Sequence, residues 1–319
     1  MACKISNFPA SDICDSEWLN FIPFSGFKYT IRKMADSTNV GATLTNGIKD
    51  PISRAALQPT ADYILQRCEM KPLVGIICGS GLGELGDLVT NATNLNYNDI
   101  PGSLLGRVHC YEGFPLWHIA LPVRVMKLLG IRNIIITNAV GALNPLYQVG
   151  DLMLVKDHIN MFGLGGQSPL QGPNDEYFGP RFFDVNQLYS DRWRHLAREA
   201  AKEVEFCRSI HDGVLTIAGG PNYESVAELK MLSMLGADCV GMSSIPESLV
   251  AHHCGIQVLA FSLVTNLCTF EYSSNQPPNH EEVLEVANQC KDDLKKFVSA
   301  LVKKISLNLD KTTINGNHK

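Results

Sequence analysis

Residues 213–243, GVLTIAGGPNYESVAELKMLSMLGADCVGMS, limit what this chain can fold into more than any other stretch. A short apolar run at 214–218 ends in Gly219-Gly220-Pro221-Asn222, a turn-forming cluster. After Tyr223 and Glu224, apolar residues recur at helical spacing (Val226, Leu229, Leu232, Leu235), and Gly236 ends the helix. A second short strand at 238–240 runs into Gly241-Met242-Ser243. Ligands of an open parallel sheet sit beyond the carboxyl ends of its strands. This one unit therefore delivers two strand ends to one crevice. Tyr223 beside Glu224 suits a flat, hydrogen-bonding ring, and Met242 beside Ser243 brings a thioether and a hydroxyl. A structural reading is equally open: a surface tyrosine, a Glu224 favoured at a helix start by the macrodipole, and Ser243 as an ordinary N-cap.

The rest of the chain repeats the alternation of strand and helix. A helix is expected over 59–68. A continuous apolar run follows at 73–78, as in a buried parallel strand. It ends in Gly79-Ser80-Gly81-Leu82-Gly83, a loop whose backbone amides can approach an anion. Residues 81–86 fit the dinucleotide pattern GxGxxG, with Asp99 further on, but the match begins too far past the strand to carry weight. In Gly106-Arg107-Val108-His109-Cys110-Tyr111-Glu112-Gly113, Arg107 and His109 share a side if the backbone is extended. They bring a planar donor fork and a titratable donor. The alternative is an exposed Arg–Glu pair beside a packed histidine. A helix at 116–129 and a strand at 133–137 lead to Asn138-Ala139-Val140-Gly141-Ala142, small residues that would leave backbone N–H groups accessible. Another strand is expected at 152–156. The Gly/Pro-rich stretch 162–183 is too long for a plain connector and reads as a functional or subunit-contacting loop. Beyond the opening unit come a helix at 245–254, a strand at 257–263 running into Val264-Thr265-Asn266, and a long helix from His280 to about 304.

Composition narrows the class. With 45% hydrophobic and 18% charged residues, the 319-residue chain can bury a large core. A net charge of −5 without a basic run argues against a nucleic-acid surface. No apolar stretch approaches the ~20 residues of a membrane span. The ten cysteines are scattered, without a CxxC pair, and read as reduced residues of a cytoplasmic protein. The sequon at Asn91 is taken as chance. Residues 1–52 hold no persistent period, and a largely disordered extension is expected there, with Met34 as an alternative start. Residues 53–306 read as one α/β domain with a central, mainly parallel mixed sheet flanked by helices. Residues 307–319 read as a polar tail.

Taken together and in order, CGSGLG, GRVHCYEG, PVRVMKLLG, GPNDEYFGPRF, GGPNYESVAE, LGADCVGMSSIPE, HCGIQV and NHEEVL closely resemble the trimeric purine nucleoside phosphorylases of animals, over roughly 60–306. The resemblance implies a homotrimer that splits purine nucleosides with inorganic phosphate as co-substrate, and no cofactor or metal. It assigns Ser80, Arg107, His109, the Ala139 backbone and Ser243 to phosphate. It assigns Tyr111, Met242 and His280 to the ribose, and Tyr223, Glu224 and Asn266 to the base. Phe182 would reach a neighbouring subunit's site. Asn266, Glu224, His109 and His280 are the expected catalytic group. Asparagine at 266, where an aspartate would better serve a 6-amino group, implies 6-oxopurines.

Two departures stand out. Only Gly102-Ser103-Leu104-Leu105 separates Pro101 from Gly106, where the family carries some two dozen more residues, including a hairpin of the core sheet. Val140 and Ala142 replace the smaller residues of the family's Asn-Ala-Ala-Gly-Gly. The first departure implies weakened catalysis, and a non-catalytic purine-binding isoform is the alternative reading.

Overall fold

The computed structural model describes residues 2–7, 21–25, 50–68, 72–102, 106–272 and 279–314. Nine strands form one mixed sheet in the order β4-β1-β2-β3-β5-β8-β7-β6-β9. These strands are β1 (Ala2–Asn7), β2 (Phe21–Ser25), β3 (Val74–Cys78), β4 (Thr90–Asn96), β5 (Asn133–Ala142), β6 (Leu152–Ile159), β7 (Ile210–Ile217), β8 (Cys239–Gly241) and β9 (Gln257–Leu267). Because β5 also pairs with β9, strands β5, β8, β7, β6 and β9 close into a ring, and β3-β2-β1-β4 extends from it. The parallel pairs are β2–β3, β3–β5, β5–β9, β6–β7 and β7–β8. The expected sheet is therefore present, curled further than an open one.

Helices α1 (Arg54–Leu65), α2 (Trp117–Leu128), α3 (Met161–Leu164), α4 (Asp191–Glu203), α5 (Val226–Met234), α6 (Ile245–His253) and α7 (His280–Ile314) flank it. One apolar cluster packs α1, α2 and α6 against the sheet through Leu57, Ile64, Val125, Met126 and Val250. A second packs α4 and α7 through Trp193, Ala197, Leu294, Phe297 and Leu301. Buried on both sides, β3 and the first half of β5 have no polar face to show, which is why they read as unbroken apolar runs.

Several boundaries differ from the sequence reading. Helix α1 begins five residues before Pro59, because the Ser53 hydroxyl caps it by accepting from the Ala56 amide at 3.4 Å. Pro59 removes one internal hydrogen bond, and the buried stripe Leu57, Thr60, Ala61 and Ile64 holds the helix across it. The polar tail expected from 307 begins as a continuation of α7 as far as Ile314. The disorder expected over 1–52 is corrected at two places. β2 runs parallel to β3 over five residue pairs, from Phe21 opposite Val74 to Ser25 opposite Cys78. β1 lies antiparallel between β2 and β4. Pairing with an open edge satisfies backbone groups whatever the side-chain pattern, so a period-based reading passes over it. The remainder of 1–49 lies outside the described residues, as do residues 103–105 of the shortened segment.

Candidate active site

A cavity of about 1160 Å³ opens where β3, β5, β7, β8 and β9 end and α7 begins. Of the residues singled out in the sequence, Ser80, His109, Tyr111, Ala139, Tyr223 and Glu224 line it, together with Met242, Ser243, Asn266 and His280. Convergence at strand ends needs backbone room. At Gly220, with φ +65°, a Cβ would stand 2.8 Å from the Tyr111 ring and 2.7 Å from the Met242 sulfur. Glycine there lets the loop after β7 lie against both.

Glu224 separates the two readings of its sequence position. The first turn of α5 is capped by Ser225 and Glu228: the Ser225 hydroxyl accepts from the Glu228 amide at 3.3 Å, and Glu228 Oε2 accepts from the Ser225 amide at 2.7 Å. Glu224 takes no part in that box and turns into the cavity. Its burial pushes its carboxyl above the usual range. Beside it, burial and the Glu224 charge both raise the Tyr223 phenol.

Asn266 reaches the same cavity through an irregularity. β5 and β9 stay in register from Asn133 opposite Gln257 to Val140 opposite Val264, then slip, so that Gly141 faces Asn266. The extra residue, Thr265, is the kind of bulge that re-aims a side chain. A Cβ on Gly141 would lie 3.1 Å from Asn266 Nδ2 and 2.8 Å from Cys268 Sγ, so glycine is what leaves space for both. Residues 138–142, expected as an open loop, are instead the second half of β5, and Ala139 meets the cavity from within a strand. The β3 loop is likewise partly engaged, since the Gly79 amide donates to Thr137 Oγ1 at 2.9 Å. Ser80 follows directly and lines the cavity. His109 stacks on Tyr111 with ring centres 5.0 Å apart. Its Nδ1 is 2.9 Å from Glu112 Oε1, which also accepts its backbone N–H.

Comparisons with known proteins show the family of the chain. The model of the phosphorylase superfamily matches residues 73–303. The purine nucleoside phosphorylase of Anopheles gambiae is 45% identical over 273 residues, covering 78% of this chain and 77% of that one. The Bos taurus enzyme of the same name is 43% identical over 272 residues, covering 78% and 94%. This chain belongs to the purine nucleoside phosphorylase family. Among solved structures, the Schistosoma mansoni purine nucleoside phosphorylase in complex with adenosine superposes with a TM-score of 0.77 at 40% identity, covering 79% of this chain and 98% of that one. The same protein in complex with inosine gives 0.76 at 39% identity, covering 79% and 97%.

Within this purine nucleoside phosphorylase fold, Arg107 and Phe182 stand outside the cavity wall. Arg107 is buried behind it, with Nε 2.7 Å from Glu247 Oε1. The pairing of Arg107 with a nearby surface glutamate is therefore ruled out, because its carboxylate comes from α6. Phe182 is 89% exposed and does not line the cavity. Sequence reasoning missed Cys268, whose thiol burial pushes up to about 12, with the Glu224 charge adding to the effect. It also missed Val240 and Val283, apolar cavity walls that look like ordinary core in a sequence.

Proposed function

We propose that this chain is a purine-nucleoside phosphorylase acting on 6-oxopurine nucleosides. It converts inosine, guanosine and their 2′-deoxy forms, with inorganic phosphate, to free base and (deoxy)ribose 1-phosphate, as in purine salvage. The observation that carries the reading is one cavity holding Glu224 and Asn266 together with Ser80, His109, Ala139 and Ser243. Breaking the glycosidic bond leaves positive charge on the ribose and negative charge on the purine. Phosphate bound at Ser80, His109, Ala139 and Ser243 stabilises the first and then attacks C1′. The bond's electron pair passes to the purine, where the Asn266 amide donates to N7 and O6 sites that gain charge. Glu224, ionised, accepts from N1–H. Tyr111 and Met242 lie against the ribose, with His280 at its 5′-hydroxyl.

Phosphate is a co-substrate, and the chemistry calls for no resident metal or cofactor. The homotrimer belongs to the same proposal: an aromatic as exposed as Phe182 suits a neighbour's site better than water. No helix among the described residues is long and apolar enough to cross a membrane. A cytoplasmic location fits the free cysteines seen among the described residues.

The test is an inosine assay with and without phosphate. Phosphate-dependent release of hypoxanthine and ribose 1-phosphate is expected. Hydrolysis without phosphate, or no release at all, overturns the reading.

A further inference from the structure

Glu247, on the first turn of α6, lies outside the cavity and is 2% exposed. Its Oε1 accepts from Arg107 Nε at 2.7 Å, and its other oxygen has no hydrogen-bond partner among the described residues. The carboxylate is thus spent on the Arg107 guanidinium. Arg107 Nη1 donates to the Thr137 carbonyl at 2.8 Å, and Nη2 to Ser244 Oγ at 3.1 Å. Each contact falls next to a cavity residue. Thr137 precedes Asn138-Ala139, and its hydroxyl accepts from Gly79, the residue before Ser80. Ser244 follows Ser243.

Ser244 is also strained. It is 1% exposed and holds φ +76°, a conformation that a side chain disfavours and that persists only where surroundings enforce it. The enforcing contacts are Arg107 on its hydroxyl and Ser248 on its carbonyl, through the Ser248 amide at 2.9 Å and hydroxyl at 2.7 Å. The turn at Ser244 is what directs Ser243 into the cavity.

We propose that Glu247 is a positioning residue for the anion end of the cavity: by fixing Arg107 it sets Ser80, Ala139 and Ser243 for phosphate. The inference rests on the phosphorolysis reading and extends it from the residues that touch substrate to the one that aligns them. Glu247→Asp keeps the charge but withdraws the oxygen by one carbon–carbon bond, about 1.5 Å. Glu247→Gln keeps the reach and an acceptor oxygen while removing the charge.

The experiment is steady-state kinetics on inosine with each variant, varying phosphate and inosine separately. Glu247→Asp is expected to raise the phosphate KM about tenfold or more, with the inosine KM within about twofold. Glu247→Gln should raise the phosphate KM by less than about threefold, because the guanidinium keeps its acceptor. Equal losses in both variants, or parallel rises in both KM values, show a general role for a buried charge and overturn the inference. Unchanged phosphate KM in Glu247→Asp overturns it as well. Should Glu247→Asp fail to fold, Ser244→Ala removes the hydroxyl held by Arg107 and must itself raise the phosphate KM selectively; no change overturns the inference. Wild-type protein without phosphate-dependent turnover overturns the functional reading and this inference together. Normal wild-type turnover with unaffected variants overturns this inference alone.

Discussion

Glu224 and Glu228 lie four residues apart and are predicted to fail in opposite ways. Glu224 faces the cavity, and Glu228 completes the capping box of α5 with Ser225. Glu224→Ala should lower kcat/KM for inosine by about 10²-fold or more, the scale of a lost transition-state contact. Its melting temperature should move little, since an uncapping helix-start charge contributes only ~0.3–1 kcal/mol. Glu228→Ala should do the reverse, costing about 1 kcal/mol of stability with kcat/KM retained. Urea melts and kinetics on the two variants check the pair, and a Glu224→Ala protein with wild-type turnover would return that residue to a structural role. Asn266 makes the second case. Gly141 leaves room for its amide in the cavity that Glu224 also lines, and the amide's donor is what a 6-oxo group needs. Asn266→Asp should lower the inosine-to-adenosine ratio of kcat/KM, by about tenfold or more if base hydrogen bonds set the choice. An unchanged ratio would show that Asn266 does not read the base.

At the scale of elements, β1 and β2 carry a consequence for stability. β3 holds Gly79 and Ser80 at its end, and β2 covers one of its edges along its whole length. Starting the chain at Met34 would remove both N-terminal strands and open the β3 and β4 edges. Unpaired backbone groups at a buried edge cost ~1–3 kcal/mol each, and an open apolar edge invites pairing with other chains. The shortened protein should melt several degrees lower and form aggregates on size-exclusion chromatography. A version starting at Met34 that stays dispersed with an unchanged melting temperature would show these strands to be dispensable. The apolar runs of β3 and β5, and the pair Leu229 and Leu232 in α5, follow from burial, which leaves its record in side chains. β1 and β4, the latter reading Thr90–Asn96 as TNATNLN, are set by backbone pairing and leave no such record.

For the molecule as a whole, pH and assembly are the informative variables. Burial lowers the pKa of His118, His158 and His253, so the unfolded chain binds protons that the folded one refuses. Their contribution to stability is present above the ordinary histidine value and is lost as pH falls through their depressed values. Glu224, with a raised pKa, works the other way and gains as it protonates. Three groups against one predict a lower melting temperature near pH 5 than near pH 7.5. Thermal melts across that range decide it, and a flat or rising profile on acidification would contradict the histidine assignment. Assembly is tested at Phe182, 89% exposed in the isolated chain. Phe182→Ala should leave the subunit's fold intact yet raise the nucleoside KM about tenfold, as loss of a buried aromatic contact would. An unchanged KM would mean that the ring serves no neighbouring site.

The sequence by itself determined the alternation of buried strands and helices from β3 onward, though not β1, β2 or β4, and most of the side chains that meet in the cavity. Those properties are local: apolar runs, turn glycines and motif residues hold their meaning wherever the chain travels. Tertiary structure decided the rest, because it depended on partners far away in sequence. Arg107 found its carboxylate 140 residues on, at Glu247, and so lies behind the cavity wall instead of on it. Asn266 turned inward through a slip in register that only the β5–β9 pairing could produce. Cys268 became part of the cavity wall just past the same slip, since nothing in the order of residues says which face of a strand end will be turned toward a cavity.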